Sequence, residues 1–242
     1  MKNNMLKVFM LVVLLVSVSS LSAAVSAVDM FIRGGVFMYI ISFLLVIMLI
    51  LAIIKYWQLS IKEKLNTQKF YLKLKGYIKN NQIEEAIRVC AQFKNTTIGF
   101  IFWSGLLGYN DGIKSGKKGF YLKEHVQNSF DEAGLQSIPK VEGGLFWFDI
   151  IAQISTLLGL LGTVFGLVVA FDSLANAPEA DKSRLLTEGI SMAMGTTAYG
   201  LIVAIPTMLI KGALQSRADR IINDIDEFSV KTINQVTYSM KE

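Results

Sequence analysis

Cysteine, proline and histidine are nearly absent from this chain, and charge is scarce. The lone cysteine, Cys90, excludes an intrachain disulfide, and there is no cysteine pair to build a metal centre. Three prolines and no low-complexity tract leave little room for disordered linkers. Charged residues fill 18% of the 242 positions, against about a quarter in soluble domains. No phosphate-binding loop or nucleophile elbow is present. The single histidine, His125, lies in a polar helical stretch without metal-ligand partners and reads as solvated surface. An enzyme is not expected, and neither is a metal or a cofactor.

What the chain has instead is apolar length. Hydrophobic residues make up 52% of it and are concentrated in a few long blocks. That is the pattern of a membrane protein with a soluble portion rather than of one large globular core. Residues 1–27 place Lys2 and Lys7 before a short apolar core, then small residues ending in Val25-Ser26-Ala27. This is a secretory signal pattern, with cleavage expected after Ala27. An uncleaved first transmembrane helix is the rival reading, and both leave Val28 outside the cytoplasm.

Three further blocks have the length of about 20 residues that a bilayer crossing needs. The first transmembrane helix is expected within 28–57, around GVFMYIISFLLVIMLILAIIKYW. The second is expected over 146–171, FWFDIIAQISTLLGLLGTVFGLVVAF, and the third over 189–210, GISMAMGTTAYGLIVAIPTMLI. Trp57 and Trp147 fit as interfacial anchors. Between Lys55 and Leu145 there are 14 Lys or Arg against 8 Asp or Glu, whereas 172–188 holds only Lys182 and Arg184. The positive-inside rule then puts 58–145 in the cytoplasm, the 172–188 hairpin in the periplasm and 211–242 in the cytoplasm. The net charge of +5 is explained by these cytoplasmic lysines. Nucleic acid is not needed to account for it.

The cytoplasmic insert reads as helical. NQIEEAIRVCAQF carries an apolar stripe at Ile83, Ala86, Ile87, Cys90 and Phe93, which makes Cys90 a core residue. IGFIFWSGLLGY suits a buried core helix better than a span, and FYLKEHVQNSFDEAGL is a further amphipathic candidate leading toward Pro139. The lysines of KEKLNTQKFYLKLK are expected to face solvent or anionic lipid headgroups. In the tail, Leu214, Ala218, Ile221, Ile225 and Phe228 recur at helical steps, so the third span is expected to continue as an amphipathic helix that packs on partner helices. The fold class is therefore an all-α membrane protein: three transmembrane helices, a helical cytoplasmic insert and a helical C-terminal extension.

The second span spends Gly159, Gly162 and Gly166 on an apolar run, although glycine costs about 1 kcal/mol relative to alanine inside a helix. Ala152, Thr156, Gly159, Thr163, Gly166 and Ala170 are all small and share a helical face, as do Gly189, Ala193, Thr196, Gly200, Ala204 and Thr207 in the third span. In lipid such faces let helices pack closely. Counted from the outer ends of their spans, Thr163 and Thr197 both lie about 10–12 Å deep. Hydroxyls at one level on antiparallel neighbours are compatible with a polar ring lining a narrow pathway. The interiors of the spans hold no acid. Asp149 is 14 residues, about 21 Å, from Thr163 and reads as an interfacial solvated acid. A proton route past these threonines needs a carboxylate from another chain.

GLLGTVFGLVVAF, followed after about 20 residues by GISMAMGTTAYGLIVAIP, resembles the paired signatures of the MotA/TolQ/ExbB proton-channel family. The three-span topology looks like its ExbB and TolQ branch rather than the four-span MotA. NTTIGFIFWSGL is similar to a segment of that branch's cytoplasmic insert. The resemblance is strong over 146–210, weaker over 35–145, and does not cover 1–27. It implies a homo-oligomeric ring of five subunits in the bacterial inner membrane. It further implies an ExbD/TolR-type single-span partner in the central pore that supplies the proton-carrying aspartate. The work is passed on to a TonB- or TolA-type protein. It implies an ion pathway lined by Thr163 and Thr197, with Thr196 as an adjacent hydroxyl. It also implies a kink at Pro206; the close-packing face, Gly159, Gly162, Gly166, Ala170, Ala193, Gly200 and Ala204, is the expectation from the small residues themselves.

The chain departs from the family at two positions. Thr156 stands where a proline is common. Met192 stands where some members carry a glutamate, so a relay role for that glutamate does not carry over. Protons are the favoured coupling ion, and the paired hydroxyls of Thr196 and Thr197 keep sodium open. A motility or gliding stator and a purely structural membrane scaffold remain the competing functions.

Overall fold

The computed structural model describes residues 35–63, 65–80, 82–175 and 177–238, apart from the side chains of 61, 62, 237 and 238. The expected signal segment 1–27 and the first part of the first span, 28–34, lie outside the described residues. The described chain is helical, with no strand among the described residues. Helix α1 is Gly35–Trp57 and runs into a π-helical turn, Gln58–Lys62. Then come α2 (Thr67–Lys79), α3 (Ile83–Gln92), α4 (Thr97–Lys114), α5 (Gly119–Glu142), α6 (Phe146–Ala175) and α7 (Glu179–Tyr238). Three helical stretches are long and apolar enough to cross a membrane: Gly35–Ser60, Gly119–Ala175 and Glu179–Val236.

The chain divides into two compact units. The first comprises the chain up to Ile53 together with Gly144–Ala213; the second comprises Ile54–Gly143 and Leu214–Glu242.

In the first unit, α1, α6 and the leading part of α7 bury narrow stripes and expose broad apolar ones. Leu157, Val164, Val168 and Phe171 on α6 are exposed, as are Phe43, Val46 and Ile50 on α1. Such a surface is stable only against lipid or other apolar helices. The buried stripe of α6 is Ile151, Ala152, Ser155, Gly159, Gly162, Gly166 and Ala170. It keeps Ala152, Gly159, Gly166 and Ala170 of the expected face and leaves out Thr156 and Thr163. Thr156 is exposed and turns its hydroxyl back to the Ala152 carbonyl, while Ser155 and Gly162 occupy the contact. The expected hairpin 172–188 is largely helix, because α6 runs on to Ala175 and α7 begins at Glu179. Asp181 and Arg184, then Arg184 and Glu188, form ion pairs along that first part of α7.

The second unit is a helical layer around an aromatic core. Phe102 packs edge-on against Phe70 and Phe130, with ring centroids 5.9 and 5.6 Å apart. Gly105, Gly108 and Gly112 line one face of α4, and α5 comes so close there that added methyl groups would collide with Phe130, Ser129 and Leu122. The apolar twelve-residue run is thus a buried core helix. Cys90 is fully buried, as its stripe predicts, and burial pushes its thiol up to about 12. Asn66 and Thr96 cap α2 and α4 by accepting from the Lys69 and Gly99 amides. The tail of α7 buries the expected stripe, Leu214, Ala218, Ile221, Ile225 and Phe228, and Tyr71 of α2 stacks on Phe228 at 4.8 Å.

Candidate functional site

The close contact of α6 with α7 follows from side-chain size. A methyl group at Gly200 would sit 2.6 Å from the Ser155 carbonyl oxygen and 3.2 Å from the Gly159 Cα. One at Gly159 would sit 3.1 Å from the Thr196 carbonyl oxygen. Gly162 faces Thr196, Gly166 faces Ala193, and Gly189 faces Ala170. Backbones can approach this closely only where both helices offer small residues, and in lipid such packing drives association. Ala204 and Thr207 continue the buried stripe of α7. Pro206 sits inside an unbroken helix; lacking an amide hydrogen, it leaves the Ile202 carbonyl without its helical donor.

These pairings fix the register. Thr163, next to Gly162, lies level with Thr196 and Thr197, as the depth count from the sequence expects. The three hydroxyls nevertheless have different surroundings. Thr196 is buried and donates to carbonyls of its own helix, Ala193 at 2.7 Å and Met192 at 3.2 Å. Thr197 is half-buried and its Oγ1 donates across the contact to the Gly159 carbonyl at 2.9 Å. Thr163 is half-buried; its hydroxyl reaches the Leu160 carbonyl at 2.5 Å and is exposed. Within one chain, Thr196 is a packing residue, and the Thr163 hydroxyl is the most exposed of the three.

Two polar features were not singled out from the sequence, and a third was read without its partner. Ser155 is fully buried in the contact, and its Oγ has no hydrogen-bond partner. Asp149 is not merely solvated: Lys211 Nζ pairs with its Oδ2 at 3.2 Å and ties the start of α6 to the middle of α7. On the other side, Ser42 donates to the Met38 carbonyl, which leaves Tyr199 to donate to Ser42 at 2.8 Å, joining α1 to α7. A register drawn between the two spans would have paired Asp149 with Lys211. His125, read as solvated, has Lys117 Nζ 3.1 Å from its Nδ1. Among the described residues no cluster of metal-ligating side chains is found.

Residues 111–227, which include α6, the small-residue contact and most of α7, match the MotA/TolQ/ExbB proton channel family. Over these residues the chain is a member of that family. Biopolymer transport protein exbB1 of Vibrio cholerae is 38% identical over 93 residues, 38% of this chain and 39% of that protein. Tol-Pal system protein TolQ of Haemophilus influenzae is 34% identical over 98 residues, 39% of this chain and 42% of that protein. A putative biopolymer transport protein ExbB homolog of Methanothermobacter thermautotrophicus is 26% identical over 202 residues, 83% of this chain and 67% of that protein. The chain thus spans about two fifths of the ExbB1 and TolQ relatives it matches.

Proposed function

We propose that this chain is the ring-forming inner-membrane subunit of a proton-motive-force-driven motor of the ExbB/TolQ type. In this reading the N-terminus is periplasmic, the chain crosses the membrane three times, and the insert and tail are cytoplasmic. Several copies, five by family resemblance, surround the single-span helices of an ExbD/TolR-type partner. Ion flow past that partner moves the ring against it and energises transport through a TonB-type protein or envelope work through a TolA-type protein.

One observation carries the reading. The α6–α7 contact holds hydroxyls at a common level in spans whose interiors have no Asp or Glu. A hydroxyl does not titrate near neutral pH, so it can line a route and hydrogen-bond a passing ion or carboxylic acid but cannot carry the proton alone. The exposed Thr163 hydroxyl is the group available to a partner's carboxylate, and Thr197 holds α6 against α7 beside it.

A second reading is a structural scaffold, favoured by the fact that all three threonine hydroxyls already have backbone acceptors. The double variant Thr163→Val, Thr197→Val separates the two. The motor reading expects loss of proton-motive-force-dependent function with the oligomer still assembled. Normal function in that variant would leave the scaffold.

A further inference from the structure

The π-helical turn at the end of α1 has a consequence for its carbonyls. The Glu63 amide donates to the Gln58 carbonyl at 3.3 Å, five residues back, rather than to Leu59. The Leu59 carbonyl thereby loses its α-helical donor. Arg217 of α7 takes it, with Nε 2.9 Å away. The neighbouring positions are tied as well. Gln58 Nε2 donates to the Lys140 carbonyl near the end of α5 at 2.9 Å, and Lys55 Nζ donates to Gln58 Oε1 at 3.1 Å. The Glu63 carboxylate receives the Thr97 hydroxyl at 2.7 Å and the Thr97 amide at 3.0 Å, which caps α4. Leu59 itself is fully buried, and the buried Ser60 Oγ has no partner. An orphan hydroxyl and a wide turn both disfavour this geometry, so neighbouring contacts must hold it.

The position of this cluster in the chain is informative. The chain passes between the two units three times, at Ile53–Ile54, Gly143–Gly144 and Ala213–Leu214. Gln58 and Leu59, Lys140, and Arg217 lie a few residues beyond these three crossings, all inside the second unit. One hydrogen-bonded cluster therefore gathers the three segments on which the second unit hangs.

We propose that Arg217 is a positioning residue that holds the end of α1 in its π register and thereby ties together, inside the second unit, the segments by which the chain enters it. In the motor this clamp makes the insert, the end of α1 and the tail of α7 move together within the second unit. The proposal rests on the motor reading for its role, but not for its structure. A guanidinium donates from a rigid planar fork, and lysine does not reproduce that geometry.

The test uses the full chain with its single-span partner in membranes, as wild type, Arg217→Gln and Arg217→Lys. Amide hydrogen exchange of a peptide covering 58–63 reads the clamp. Loss of one charge-assisted bond is expected to speed it by about tenfold in Arg217→Gln and less in Arg217→Lys, with peptides from α4 and α6 unchanged. Unchanged exchange at 58–63 in both variants overturns the proposal. Ion flux and work output are read on the same preparations: flux is expected to persist while work falls, and full work output in Arg217→Gln contradicts the role as a clamp. A wild-type complex without any flux contradicts the motor reading instead, and the exchange measurement still decides the clamp.

Discussion

The Thr197 hydroxyl of α7 donates to the Gly159 carbonyl of α6 at 2.9 Å, at a point where the two backbones touch. A glycine carbonyl is open to such a bond because no side chain shields it. Close packing and polarity here are one feature: Gly159 and Gly200 bring the helices together, and the approach places the hydroxyl within reach. Thr197→Val should therefore weaken the α6–α7 contact by about 0.6 kcal/mol, the usual value of an interhelical hydrogen bond in lipid. Thr163→Val, which removes only a bond within its own helix, should leave stability unchanged. Thermal unfolding of the detergent-solubilised oligomer checks the difference, and equal shifts for both variants would contradict it.

Glycines in this chain should divide sharply. Gly200→Ala places a methyl 2.6 Å from a backbone oxygen, and the helices must separate to accept it. It should destabilise by about 1–3 kcal/mol, the usual cost of overpacking. Gly76 of α2 is exposed and has open space around it. Gly76→Ala should stabilise by about 0.5–1 kcal/mol through helix propensity alone. Denaturation curves of the two variants, measured side by side, give opposite signs if the contact is as tight as the structure places it.

Cys90 should be inert in the folded chain. Burial raises its thiol from the ordinary 9.0 to about 12, so the nucleophilic thiolate is scarce at neutral pH. Maleimide labelling should fail on the native chain and proceed once denaturant is added. The sign of the linkage is also fixed. Between these two values the unfolded chain has lost its proton while the folded chain keeps it, so stability falls as pH rises above about 9. Rapid native-state labelling would show that the core around α3 opens readily.

Much of this architecture was legible because membranes impose simple demands. Long apolar blocks predicted the spans, and the small-residue stripe of α7 was read in place. In α6, Ala152, Gly159, Gly162, Gly166 and Ala170 were read in place, but Thr156 and Thr163 were counted into the face and Ser155 was missed. Neighbouring small residues make two faces nearly equivalent in sequence, and only the partner helix decides between them. The segment 172–188 was read as a hairpin between the spans, yet local ion pairs such as Arg184 with Glu188 support helix over its second half, which joins α7. The Arg217–Leu59 contact was not legible, because the sequence gives no sign of a π-helical turn or of the carbonyl it releases.

Coupling-ion choice offers a separate check. With no carboxylate near the threonine level, the pathway of this chain lacks a charged ligand for a sodium ion. Replacing the proton gradient by a sodium gradient should leave the complete complex idle, and work driven by sodium alone would point to a different ion.

The central claim is that this chain lines an ion pathway whose proton carrier belongs to another protein. It is tested most directly by proton flux into liposomes, with the chain reconstituted alone and together with its single-span, aspartate-bearing partner. The account predicts no flux above lipid background for the chain alone, and flux with the partner that Thr163→Val abolishes. Robust conduction by the solitary chain would contradict it.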